Sequence, residues 1–243
     1  MVEEKKEVVK KEAAPPAVIN NDNLGFGAGG DNDELISVPR AALVNTGSPA
    51  LKDPNAVCKY GDYINSITKQ PLKENVFIPI AFSNNWIRFN AKKDDEPGYN
   101  PDFGLGDIIW RAGSKNDPTY NDAEAHFGPN GEKPLATHFL NFLSYFPETN
   151  SLMMVSFSKG SFYTGRELFN MIHSQKPKMP YTYQYKLGHI SKTGPSGDDY
   201  LMATVSMSGK TEPDLYAKMN GIAQEFATKL GKVQVDDDSL NQD

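Results

Sequence analysis

Val76, Ile78, Ile80 and Phe82 occupy alternate positions, and this period of two places them on one face of an extended chain, which commits the middle of the sequence to β structure. Further short apolar runs follow, each bounded by Pro, Gly, Asn or Asp. Residues 137–146 and 152–158 flank Pro147-Glu148-Thr149-Asn150, and residues 181–190 and 200–207 flank a stretch carrying Gly194-Pro195-Ser196-Gly197. Both pairs read as hairpins. A third hairpin is expected to join 60–67 to 76–82. Pro79 has no N–H to give to a ladder, so it marks an edge strand or a bulge. Asn84-Asn85 is expected to turn the chain into Trp86-Ile87-Arg88-Phe89, and residues 90–134, rich in Gly, Pro, Asp and Asn, to form an excursion loop with one strand at 107–111.

Helical spacing occurs twice. Phe162, Leu168, Phe169, Met171 and Ile172 approximate one stripe within 161–173, ended by Lys176-Pro177, and 212–230 reads as a terminal helix with Thr211 as N-cap and Gly231 as its stop. Evenly spaced strands with one helix among them predict a mainly β fold with minor α: an OB-like small barrel with an inserted helix and a C-terminal helix. Hydrophobic residues at 38% and aromatics at 11% supply the core that such a domain needs.

The ends read differently. Residues 1–34 combine a Lys/Glu run, Ala-Pro sequence and Gly25-Phe26-Gly27-Ala28-Gly29-Gly30, with too little apolar surface to offset the entropy of ordering. They are expected to form a disordered arm, followed by a single β-rich domain over 35–232 and an acidic disordered tail over 233–243. Eight acids and four lysines in 1–34, and four acids with no base in 233–243, leave the domain between them at +2 within a chain of net charge −6. A weakly basic core is thus hidden in an acidic total.

Several function classes lose their support. The glycine-rich run lacks the Lys-Ser/Thr of a phosphate loop. One cysteine, Cys58, and histidines at 126, 138, 173 and 189 in four different elements assemble neither a metal site nor a nucleophile with its base. Asp94-Asp95-Glu96 lacks the ligand spacing of a calcium loop. The expectation is a binding protein and not an enzyme, with no cofactor and no metal. Residues 1–12 carry no apolar run of a secretion signal, and no stretch reaches the ~20 apolar residues of a membrane span, so a soluble, cytosolic protein is expected.

Aromatic and basic residues interleaved on strands point to single-stranded nucleic acid, which is held by rings that stack on bases beside cations that track phosphates. Trp86, Arg88 and Phe89 lie together, with Lys92 just beyond. Tyr181 and Tyr183 share a strand with Lys186. Lys159 and Arg166 sit at or on the inserted helix, where they can meet phosphates. The competing reading for the rings is core, and for the helix cations a solvated face. Asp236, Asp237, Asp238 and Asp243 form a partner-binding tail, or a solubilising end.

The order Gly61-Asp62-Tyr63-Ile64-Asn65-Ser66-Ile67-Thr68, Val76-Phe77-Ile78-Pro79-Ile80, Trp86-Ile87-Arg88-Phe89, Thr137-His138-Phe139, Ser156-Phe157-Ser158-Lys159 and Tyr181-Thr182-Tyr183 resembles that of tailed-bacteriophage proteins described as single-stranded-DNA-binding. The resemblance runs over about 36–207. It implies an OB-like fold, single-stranded DNA as partner, a role in phage replication or recombination alongside other proteins of those processes, and the cytoplasm of the infected bacterium as location. The alternative is a virion-associated structural or internal protein without nucleic-acid binding. The oligomeric state stays open.

Overall fold

The computed structural model describes residues 37–54, 56–194, 197, 199–226 and 234–235. The expected N-terminal arm and Asp236, Asp237, Asp238 and Asp243 lie outside the described residues. The elements are β1 (Ser37–Val38), β2 (Ala41–Leu43), β3 (Tyr63–Asn65), β4 (Val76–Phe89), β5 (Ile108–Ala112), α1 (Asp122–Ala125), β6 (Ala136–Phe146), β7 (Ser151–Phe157), α2 (Phe162–Ser174), β8 (Tyr183–Thr193), β9 (Asp199–Lys210), α3 (Pro213–Phe226) and β10 (Gln234–Val235). The fold is mainly β with minor α, as expected.

Five strands run in the order β7-β6-β4-β8-β9, with β5 also on β4. Every pairing among these six strands is antiparallel. The path is open: β7 and β9 are not paired with each other among the described residues, so the expected barrel is not closed by hydrogen bonds. Two small pairs accompany the sheet, β2 with β3 and, in parallel, β1 with β10.

β4 is the hub, and its length explains two corrections. It runs unbroken through Asn84 and Asn85, which face Leu140 and Phe139 of β6, and Asn85 accepts a hydrogen bond from the Asn141 side chain at 3.0 Å. A cross-strand amide pair replaces the expected turn. The expected hairpin of 60–67 with 76–82 does not form either. The Asn65 side chain accepts from the amides of Ile67 and Thr68, an Asx-type turn that ends β3 and leaves it pairing with β2. Pro79 sits at a register shift between β4 and β6, so it marks a bulge, and at that point β4 is paired on one side only although the strand as a whole is central.

Main-core packing centres on Phe77, whose ring lies 5.9 Å from Phe146 and 6.0 Å from Tyr185. α2 closes this core with Thr164, Gly165, Leu168 and Ile172, the spacing of one helical face. A Cβ on Gly165 would lie 2.8 Å from that of Phe157, so the helix backbone rests directly on β7. α3 covers the other side through Met219, packed with Ile78, Ile80 and Tyr145, and is pinned where Lys218 Nζ donates to Tyr145 Oη at 3.0 Å and Asn150 Oδ1 at 2.8 Å. Its expected N-cap fails: Thr211 Oγ1 is buried with no hydrogen-bond partner. Gly231 lies outside the described residues.

The free edge of β9 is satisfied by side chains. Asn45 Oδ1 accepts from Leu201 N at 2.7 Å while its Nδ2 donates to Leu201 O at 3.2 Å. Two residues on, Thr164 Oγ1 donates to Ala203 O at 2.8 Å and Ser161 Oγ accepts from Ala203 N at 3.2 Å. These groups stand where a neighbouring strand would, protecting the edge. Asn45→Ala strips both partners from Leu201 and is expected to cost about 1–3 kcal/mol of unfolding free energy, read as a lower urea midpoint with an unchanged slope.

Candidate nucleic-acid interface

The chain built around β4 buries much of what the sequence offered as a surface. Trp86 is only 6% exposed, stacked on His138 at 4.1 Å and 13° and meeting Tyr120 edge-on. Arg88, 5% exposed, donates to the carbonyls of Phe89 and Gly98, and its Nε lies 3.8 Å from Glu124. Phe89 packs edge-on against Phe139. These residues anchor the excursion loop to the sheet and are not platforms in this conformation. Strand β5 inside that loop occurs as expected; α1 was not anticipated. The loop is itself organised by buried Asn90, whose Nδ2 donates to the carbonyls of Asn100, Phe103 and Gly104. Lys92 lies exposed on it.

The tyrosines divide similarly. Tyr181, 4% exposed, precedes β8, donates to Asn220 Oδ1 at 2.7 Å and meets Tyr216 edge-on. Tyr183 packs partly buried on the main core. Lys186 is exposed on β8. Trp86 and Tyr181 are thus core residues in this structure, Trp86 covered by Tyr120 and His138 and Tyr181 by α3 through Tyr216.

Lys159 lies in the turn that precedes α2 and Arg166 on its second turn, both exposed. Lys159 has φ +47°, a left-handed conformation uncommon away from glycine. It is held by turns from Ser161 N to Ser158 O and from Phe162 N to Lys159 O. On the helix, Tyr163 is 72% exposed, three residues before Arg166, so a ring and a cation neighbour one another on α2.

Beside this turn opens a cleft of about 440 Å³ in the unpaired seam between β7 and β9. Tyr63, Val155, Phe157, Leu187 and Ala203 line it, all buried members of the main core. Its polar wall includes Asn45, Ser158, Ser161, Tyr200, Lys159 and the buried Arg40. Among the described residues no carboxylate lines it. Tyr200 is 40% exposed and borders Gly160, where an added Cβ would stand 3.7 Å from its ring. Burial pushes the Tyr63 phenol well above its ordinary value, so it stays neutral and donates to Gly188 O at 2.8 Å. Of the expected contact residues Lys159 lines the cleft and Arg166 does not, while Arg40 and Tyr200, which the sequence did not single out, do. Tyr163 stood in the helix stripe's gap; Arg40 and Tyr200 meet only through the fold.

A match to a family model over residues 8–232 extends across most of the chain and defines a bacteriophage protein. The chain belongs to the Pam3 phage gp34-like protein family. No curated protein and no solved structure matches it. Among the described residues no helix is long and apolar enough to cross a membrane.

His138 carries a pH consequence. Burial, with lesser repulsion from Lys115 and His126, lowers its pKa to about 4 from 6.5. In that interval the unfolded chain binds the proton and the folded chain does not, so stability falls as pH drops from 6.5 towards 4. His138→Phe is expected to flatten this part of a stability-versus-pH curve measured by thermal melts. Trp86→Ala, by contrast, should cost about 3–5 kcal/mol at neutral pH as a core cavity.

Proposed function

We propose that this is a bacteriophage single-stranded-DNA-binding protein, serving replication or recombination in the infected cell, that binds its partner without transforming it. The observation that carries the reading is the seam cleft, which sets the exposed ring of Tyr200 and the side chains of Arg40 and Lys159 beside an apolar floor, in a chain of net charge −6. Phosphates are attracted to such a site, while the chain as a whole repels them. Connectivity supports it. β4, β6, β7, β8 and β9, with α2 between the third and fourth and the first strand paired to both the second and fourth, follow the strand order of an OB fold whose last seam is left unpaired.

The proposed contact surface is relocated from the strand aromatics to the α2 turn. Lys159 and Arg166 meet phosphates there, Arg40 adds charge within the cleft, and Tyr163 and Tyr200 offer exposed rings for stacking. Lys92 and Lys186 lie exposed elsewhere on the domain and contribute at longer range. The acidic residues 236–238 and 243 are proposed to engage replication or recombination partners.

A second reading has one observation behind it. Phe103, Leu105, Phe127 and Leu135, all exposed, fall within the excursion loop and its return to β6, and exposed apolar residues favour an assembly role in a virion.

Fluorescence anisotropy with labelled oligo-dT over a range of salt decides between them. Log affinity should fall linearly with log salt, and Lys159→Ala and Arg166→Ala should each reduce the slope by about 0.7. Tyr200→Ala should weaken binding by about 1–3 kcal/mol with little change in Tm, since the ring is well exposed. Undetectable binding at low salt would remove the proposal and leave assembly.

A further inference from the structure

A strand lying across a flat surface needs rings and cations but no cavity, and this seam provides a cavity. Its floor is the surface of the main core: Tyr63, Val155, Phe157, Leu187 and Ala203, four of them at 4% exposure or less and Ala203 at 9%. None of these carries a charge. At the mouth stand exposed Lys159 and Tyr200, with Arg40 in the wall. The cleft is therefore apolar and aromatic inside and cationic outside. At about 440 Å³ it falls within the roughly 300–1,000 Å³ of small-molecule sites.

We propose that the cleft takes one nucleotide of the bound strand whole, base inward and phosphate at the mouth. The inference rests on the single-strand reading above and adds to it a discrete pocket. A base is flat, largely apolar on its faces and edged with hydrogen-bonding groups, which suits a floor of Tyr63 and Phe157 with the hydroxyls of Ser158 and Ser161 at the side. Its phosphate stays at the mouth beside Lys159, and a second phosphate would have to enter the uncharged floor, where desolvation opposes it. The site thus prefers one nucleotide to inorganic polyphosphate or to a bare nucleoside. Insertion at one point and charge along the surface together hold the strand.

Gly47 gives a clean test. It lines the cleft, lies outside the left-handed region, and an added Cβ there meets nothing within 4 Å, so Gly47→Trp can fill the opening without displacing the core. With the full chain, thymidine monophosphate should compete with labelled oligo-dT, while thymidine and inorganic phosphate each compete about tenfold less well or worse. Gly47→Trp should weaken monophosphate binding by about tenfold or more at unchanged Tm, and leave a weaker, still salt-dependent binding of oligo-dT. Should the variant lose its fold, the competition series on the native chain still decides. Oligo-dT binding with no competition by the monophosphate, or competition unaffected in a folded Gly47→Trp, overturns the pocket and spares the single-strand reading. Absence of oligo-dT binding in the native chain overturns both.

Discussion

One strand changing partners organises this molecule. Along one edge β4 pairs with β6 for ten residues; along the other it holds β8 only at Val76 and Phe77 and β5 only from Trp86 onward. The stretch between these two pairings is where Pro79 removes a donor and shifts the register, so the residue that would break a ladder sits where the second ladder is already absent. Ile78 and Ile80 pack there with Met219 of α3 in place of a strand neighbour. Release of β8 at that point lets the β8–β9 ribbon diverge from the β4–β6–β7 sheet, with Phe77 and Tyr185 filling the angle between them.

That divergence creates an edge problem at β9, and the chain solves it with side chains. Asn45 offers Leu201 an acceptor and a donor, and Ser161 and Thr164 do the same for Ala203. Strand pairing with β7 would have satisfied the same groups but filled the seam with backbone. Side-chain capping satisfies them, while β7 takes the Pro39–Arg40 segment instead, Met154 N donating to Pro39 O at 2.7 Å. The cleft is thus a product of how the edge is protected, and the residues that protect it, Asn45 and Ser161, also line it.

Much of this fold is legible in the sequence, for local reasons. The β6–β7 and β8–β9 hairpins rest on turn chemistry between apolar runs, β5 on a short apolar run inside a polar loop, and α2 on a stripe whose buried members include Leu168 and Ile172. These are short-range properties. What misleads is whatever depends on a distant partner. Asn84-Asn85 has the composition of a turn, yet the amide of Asn141, 56 residues away from Asn85, keeps it in a strand. Trp86 and Arg88 have the composition of a binding patch, but a central strand with neighbours on both edges and cover on both faces buries them. Arg40 and Tyr200, 160 residues apart, share a cleft that no window of sequence contains. Lys159 and Arg166, by contrast, keep the exposure that the sequence suggests, because the turn before α2 and the outer face of the helix have solvent on them.

The same contact that fixes α2 also fixes what Lys159 can do. Gly165 lets the helix backbone rest on Phe157, so the first turn of α2 must begin only a few residues after β7 ends. The chain covers that distance with Lys159 in the left-handed region, a conformation that glycine would adopt at lower cost. Gly160 follows immediately and is not in that conformation; an added Cβ there would meet the Tyr200 ring at ordinary van der Waals distance. Backbone convenience alone would favour the glycine one position earlier. Lys69 adopts the same region at φ +56°, so a lysine there is tolerated where the surrounding turn holds it; at Lys159 the conformational cost is offset by the two turns that hold it and by the packing of α2 behind it.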